Sequence, residues 1–227
     1  MQPSDGVRST DAGGGLDPRG LRSFLTVFLL LALCAVCLTA WLRDRARKAA
    51  APPILSPAPV GTFVLQDQLG ASFNSVELHG KVWVANFIFS SCTAGCPLMA
   101  DQMRSLHERV VSDSAFSDSV RLLSFSVDPR RDKPERLREF ATRYGADTKL
   151  WRLLTGGDGE VVELSTKHFQ LSASQGDTEE APTHSDRFVL VDAGGYLRGY
   201  YRLANSADEM HRLLADIDVL VEEAKRQ

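Results

Sequence analysis

The sequence predicts an α/β fold: a central mixed sheet flanked by helices, opened by an amino-terminal β-hairpin and preceded by a single transmembrane helix. Three observations predict it. An uncharged, apolar run of 20 residues lies near the start, from Ser23 to Leu42. Beyond it, strand-like runs alternate with helical ones and end in a hairpin and a last helix, the pattern of a sheet covered on both faces. Within that pattern Lys81–Phe89 (KVWVANFIF) is almost continuously apolar, as a strand buried on both sides must be.

The 227 residues suffice for one domain and a tail, and 44% apolar with 24% charged residues describe a chain with a real core. A net charge of -3 offers no basic face, so nucleic acid is not an expected partner. Residues 1–20 are rich in Gly, Ser and Asp, have little to bury, and are expected to be a disordered tail.

The run that follows defines an anchor over 21–42. At about 1.5 Å per residue it spans roughly 30 Å, the hydrocarbon thickness of a bilayer, and Trp41 suits the interface. A cleaved signal peptide would need a shorter run and a small-residue cleavage site, but Arg43-Asp44-Arg45 intervenes. A lipid-anchored Cys34 would follow a small residue, and Leu33 is bulky. An uncleaved single span is the favoured reading, with Cys34 and Cys37 as small apolar fillers inside the membrane. Arg8, Arg19 and Arg22 precede the span and Arg43, Arg45, Arg47 and Lys48 follow it, a count near balance that leans slightly against an exported domain, so charge alone does not orient the chain.

Residues 43–59 carry Pro52, Pro53, Pro57 and Pro59 and read as a stiff spacer leading to a domain over 60–227. In that domain Thr62–Leu65 and Ala71–Phe73 flank a Gln68-Leu69-Gly70 turn as a hairpin. Helices are predicted from Pro97 to about Val111, over Pro134–Tyr144 with Gly145 as the stop, over Asp158–His168, and over Ala207–Lys225. Strands are predicted over Val120–Val127, Leu150–Leu154 and Phe188–Asp192, the last paired with Leu197–Tyr201 across Gly194-Gly195.

Sites in such sheets form at the carboxyl ends of strands, where helices begin. The turn after Phe89 is one of these places, and it reads Ser90-Ser91-Cys92-Thr93-Ala94-Gly95-Cys96-Pro97. A helix start offers unpaired N–H groups and a positive dipole end, both of which favour thiolate, the form that ligates metals and attacks disulfides. The four-residue spacing can bring both sulfurs to one face, for a shared metal or a disulfide. Two features tilt the pair towards metal: the gap between the cysteines is three residues, not the two usual in dithiol oxidoreductases, and Phe89 stands where a thiol peroxidase would carry Thr or Ser.

A third donor would complete a metal site. His79 lies in a turn, while His107, His168 and His211 lie in predicted helices, where structural or surface roles suit them. His184, in Pro182-Thr183-His184-Ser185, precedes the Phe188–Asp192 strand and enters the sheet near the cysteine turn. The residues alone leave the ligand and structural readings of His184 both open.

The FIFSSCTAGCP turn at Phe87–Pro97, SVDPRRDKPERLREFA at Ser126–Ala141, and THSDRFVLVDAGGYLRGYY at Thr183–Tyr201 together resemble the Sco (SenC) family of copper-binding cytochrome c oxidase assembly proteins. The resemblance covers roughly Val60 to Leu220 and implies a thioredoxin-like fold. It implies Cys92, Cys96 and His184 as ligands of one copper ion, Cu(I) or Cu(II), and a single amino-terminal anchor. That anchor would sit in the inner (cytoplasmic) membrane with the soluble domain on the periplasmic, extracytoplasmic side. The recipient it implies is the copper-bearing subunit of cytochrome c oxidase, with its dinuclear copper centre; other copper chaperones or thiol reductases are further expected partners. The sequence departs from the family's usual pattern in placing Thr-Ala-Gly between the cysteines and Thr183, not an acidic residue, before the histidine.

On this reading the protein is a metallochaperone more than a turnover enzyme, and a Cys92–Cys96 disulfide would withdraw both sulfurs as ligands. The main rival is a thiol–disulfide oxidoreductase whose redox pair is Cys92 and Cys96 and which keeps a partner's copper-site cysteines reduced. Zinc at the same donors, and a plain interaction module, are the other two. Met99 and Met103 are expected to pack in the core. Asp128, Arg131 and Asp132 are expected to cap the helix from Pro134. The polar, acidic stretch Ser172–Glu180 is expected to be mobile enough to let His184 swing towards the cysteines.

Overall fold

Helix-forming residues carry the first element past its apolar stretch at both ends. In the computed structural model, which describes residues 18–49, 51–92, 96–176, 182–203 and 207–226, helix α1 covers Pro18–Ala49. Pro18 suits a first helical position, and Arg43–Ala49 contains no Pro or Gly to stop the helix. The helix thus takes in residues expected as tail and as linker, while the remainder of the expected tail, 1–17, lies outside the described residues. Leu25–Arg43 has a mean hydropathy of 2.5 and is long and apolar enough to cross a membrane. Its large apolar side chains are exposed, as are Cys34 and Cys37.

The unit formed by residues 50–227 is built on a sheet. Its elements are β1 (Val64–Asp67), β2 (Ser72–Asn74), a 3-10 turn (Ser75–Leu78), β3 (Val82–Ile88), α2 (Cys96–Ser112), α3 (Ser114–Ser117), β4 (Val120–Ser126), α4 (Pro134–Tyr144), β5 (Trp151–Thr155) and α5 (Glu160–Glu163). There follow β6 (Ala173–Ser174), β7 (Thr183–His184), β8 (Phe188–Val191), β9 (Leu197–Tyr201) and α6 (Ala207–Ala224). The main sheet runs β2-β1-β5-β4-β3-β8-β9. Its centre is parallel, β3 with β4 and β4 with β5, and its flanks are antiparallel, which makes the sheet mixed as expected.

The apolar continuity of β3 follows from its position. Val82, Val84 and Ile88 face a core shared with Met99, Met103 and Leu106 of α2, Leu137 and Phe140 of α4, and Leu213 and Ile217 of α6. Trp83, Ala85 and Phe87 face the other core, with Val161 of α5, Leu164 and Phe169. Alternate side chains of one strand therefore bury on opposite faces. Met99 and Met103, 3% and 0% exposed, are core residues, as expected.

Two stretches differ from expectation. The helix expected over Asp158–His168 starts only at Glu160, after Gly159 in the left-handed conformation (φ 78°), and its second half, Leu164–His168, widens into a π turn. The Pro-rich segment is not a spacer along its whole length. Leu55 N–H donates to the Leu197 carbonyl at 2.7 Å, Val60 N–H to that of Gly195 at 2.9 Å, and Leu197 N–H to the Ser56 hydroxyl at 3.3 Å. Arg198 Nε donates to the Pro52 carbonyl at 2.8 Å. From Pro52 onward the segment thus binds both backbone groups of Leu197, the first residue of the edge strand β9, which would otherwise stand open.

Candidate metal centre

Strand β3 ends at Ile88, and the chain turns tightly there: Cys92 N–H donates to the Phe89 carbonyl at 3.2 Å. Cys92 is half-buried in this turn. Helix α2 opens at Cys96 with Pro97 in its first turn, so the second cysteine sits at a helix amino terminus, where the dipole favours thiolate. Thr93, Ala94 and Gly95, the predicted gap, lie outside the described residues, as does the Cys96 side chain. Among the described residues no three His, Cys, Asp or Glu side chains form a group that could hold a metal.

His184 reaches the same end of the sheet from another direction. It lies on β7, which pairs with β6 in the register Ala173↔His184 and Ser174↔Thr183, reinforced by a 2.8 Å hydrogen bond between the Ser174 and Thr183 hydroxyls. This hairpin was not expected. Part of the stretch predicted to be mobile, Ala173–Ser174, is instead the strand that holds the histidine, and 177–181 lie outside the described residues. The imidazole packs edge-on against Phe89, three positions before Cys92, with ring centroids 5.5 Å apart. The structure thus brings His184 to the cysteine turn by way of Phe89.

The histidine is electrostatically prepared to act as a lone-pair donor. Its Nδ1 lies 2.9 Å from the Ser185 carbonyl, which can only accept, so Nδ1 carries the proton and Nε2 the lone pair. Burial pushes its pKa below the ordinary value, outweighing the Ser185 hydrogen bond and the nearby Asp186, both of which favour the charged ring. The other histidines have other duties or none here: His107 is buried with Nε2 3.0 Å from Asp147, and His79, His168 and His211 are exposed.

The loop between β4 and α4 is used differently from expectation. Lys133 occupies the cap position of α4 and makes no side-chain cap, and Pro134 at the first helical position has no N–H to cap. Asp128 instead pairs with the Arg131 guanidinium at 3.0 Å. Asp132 turns back towards the cysteine turn, accepting from the N–H and hydroxyl of Ser90 and from the hydroxyl of Ser126. Phe89, Ser90 and Ser126 were not singled out as site residues. For Phe89 and Ser90 the one legible signal was adjacency to the cysteines, and for Ser126 its place at the head of the Ser126–Ala141 motif.

Three comparisons bear on this arrangement. A family model described as SCO1/SenC matches residues 53–218. The SCO1 protein homolog of Bacillus subtilis is 34% identical over 149 residues, covering 65% of this chain and 76% of that one. The structure of BsSco, described as a member of the Sco family of cytochrome c oxidase assembly proteins with a disulfide switch, superposes with a TM-score of 0.65 at 29% identity, covering 75% of this chain and 98% of that one. Yeast Sco1 with copper bound gives a TM-score of 0.57 at 26% identity, covering 75% and 91% of the two chains.

Proposed function

The chain belongs to the SCO1/SenC family, and from that premise we propose that it is a membrane-anchored copper carrier. One copper ion is held by Cys92, Cys96 and His184 and delivered during assembly of the dinuclear copper centre of cytochrome c oxidase. The observation that carries this reading is the packing of His184 on Phe89, which supports an imidazole beside the turn that bears Cys92. The donor set fits the cargo: soft thiolates favour Cu(I), and an imidazole suits Cu(II), so one site can serve both oxidation states. A neutral ring, favoured by burial, is the ligating form. Helix α1 anchors the chain in the inner membrane, with the sheet domain on the extracytoplasmic side.

The copper found with yeast Sco1 and the assembly role described for BsSco support the same reading for this chain. The disulfide switch identified in BsSco supports a second reading, in which Cys92 and Cys96 act as a thiol–disulfide pair that keeps a partner's copper-site cysteines reduced.

Anaerobic copper titration of the reduced protein tests the first reading against the second, with Cys92, Cys96 and His184 each replaced in turn. A carrier loses Cu(II) binding and oxidase assembly together on His184→Ala. A reductase keeps its thiol-exchange activity in that variant. Competition with zinc decides the metal, because copper displaces zinc from these donors.

A further inference from the structure

Behind the cysteine turn stands a carboxylate that copper ligation leaves without a task. Asp132 is 0% exposed, and among the described residues its charge is met by hydrogen-bond donors, not by an ion pair. One oxygen, Oδ2, accepts from Ser90 N–H at 2.9 Å and from the Ser126 hydroxyl at 2.5 Å, while Oδ1 accepts from the Ser90 hydroxyl. The carboxylate is itself fixed, because Asp132 N–H donates to the Asp128 carbonyl at 2.8 Å. From the outer side Arg136 Nε donates to the Ser90 hydroxyl at 3.2 Å. Ser90 is therefore gripped through its backbone and its side chain, two residues before Cys92.

Such a grip is stronger than joining two strands requires. Val127 N–H already donates to the Ile88 carbonyl at 2.9 Å, which ties the ends of β3 and β4 by backbone alone. A buried carboxylate carries a desolvation cost that only a full set of donors offsets, so the cluster is stable only with Ser90 held in place. Charge-assisted hydrogen bonds are roughly twice as strong as neutral ones, and that stiffness is passed to the turn. Metal–ligand distances tolerate only about 0.2 Å of error, so a turn that bears a ligand gains most from stiffness.

We propose that Asp132, acting through Ser90, is the positioning residue that sets the cysteine turn for its metal; the proposal rests on the copper-carrier reading. The oxygen assignments make it testable. An Asn at 132 can keep its amide oxygen on Ser90 N–H and Ser126 while its amide nitrogen donates to the Ser90 hydroxyl, so the shape survives without the charge. An Ala removes both.

The experiment is copper titration of the full-length reduced protein in detergent, comparing wild type with Asp132→Ala, Asp132→Asn and Ser90→Ala. The readouts are Cu affinity, the thiolate-to-Cu(II) charge-transfer absorption and the Cu(II) EPR splitting. Expected is a loss of about 10- to 100-fold in affinity with altered spectra for Asp132→Ala, the range seen when residues that orient metal ligands are removed. Asp132→Asn, which keeps the shape and loses the charge-assisted strength, is expected to lie between wild type and Asp132→Ala in both. Wild-type spectra and affinity in a folded Asp132→Ala protein would overturn the proposal. Should that variant not fold, Ser90→Ala at this half-buried position decides: altered EPR parameters support the proposal, and unchanged ones overturn it. A wild-type protein without thiolate–copper absorption would instead bring down the copper reading, and the proposal with it.

Discussion

Phe89 and His184 meet edge to face, their ring planes at 77° and their centroids 5.5 Å apart. The contact joins a residue of the cysteine turn to a histidine on the two-residue strand β7, and that ring also bonds the Ser185 carbonyl through Nδ1. Aromatic pairs of this kind are worth about 0.5–1.5 kcal/mol beyond their burial, and 1.4 kcal/mol is a factor of ten in affinity. Phe89→Ala is therefore expected to weaken Cu(II) binding by roughly two- to tenfold while leaving Cu(I) binding, carried by the sulfurs, less affected. Competition titrations of both oxidation states check this. Equal losses for both would show that Phe89 serves the cysteine turn and not the histidine.

The metal-free protein should show His184 titrating below 6.5, because burial is the largest influence on its ring. The sign for stability follows. A folded-state pKa below the unfolded value means that the unfolded chain binds more protons in between. The contribution of His184 is fully present above 6.5 and is lost as pH falls through the lowered folded value. NMR titration of the imidazole gives the pKa directly, and urea unfolding of wild type and His184→Gln over that window gives the stability. A ring titrating at or above 6.5 would contradict the expectation.

A soluble domain that begins at Val60 should be less stable than one that begins at Ala51. It lacks the Leu55–Leu197 and Ser56–Leu197 hydrogen bonds and the Pro52 carbonyl that Arg198 uses. At about 1 kcal/mol for each hydrogen bond lost, the deficit is about 2–4 kcal/mol. For a domain of this size that lowers Tm by roughly 5–15 °C, measurable by calorimetry.

Arg198 itself is the buried centre of that edge, with Asp192 at 2.7 Å and Glu223 at 3.1 Å. Removing the guanidinium by Arg198→Ala strands Asp192 in a nearly enclosed position, at an expected cost of about 3–5 kcal/mol. Denaturant unfolding measures it, and copper affinity of the surviving folded protein should not change.

Met103 offers the complementary test. It is wholly buried in the core beneath α2, so Met103→Leu should cost under about 1.5 kcal/mol and leave copper binding as it was. Altered copper affinity in that variant would return the thioethers to consideration.

The elements were legible in the sequence because their signals are local. A short apolar run rich in Val, Phe and Ile and bounded by turn signals reads as a strand covered on both faces, and β3 is one; a Pro in the first turn marks α2 and α4, and Gly145 closes α4. The cysteine turn was legible for the same reason, since a strand end and a helix start stand side by side in the sequence. The β6–β7 hairpin was not, because two short polar segments carry no periodicity. Nor was the docking of Pro52–Val60, where the hydrogen bonds run to backbone groups, which every residue has and no pattern marks.

What the sequence determined by itself is the α/β order of the domain, the apolar span ahead of it, and two cysteines at the mouth of a helix. The tertiary structure decided which distant residues meet them: His184 against Phe89, Asp132 on Ser90 across 42 positions, Pro52 on Arg198 across 146. Such partners are chosen when sheet register and loop course bring their atoms within a few ångströms, and that selection leaves no trace in the spacing of residues along the chain.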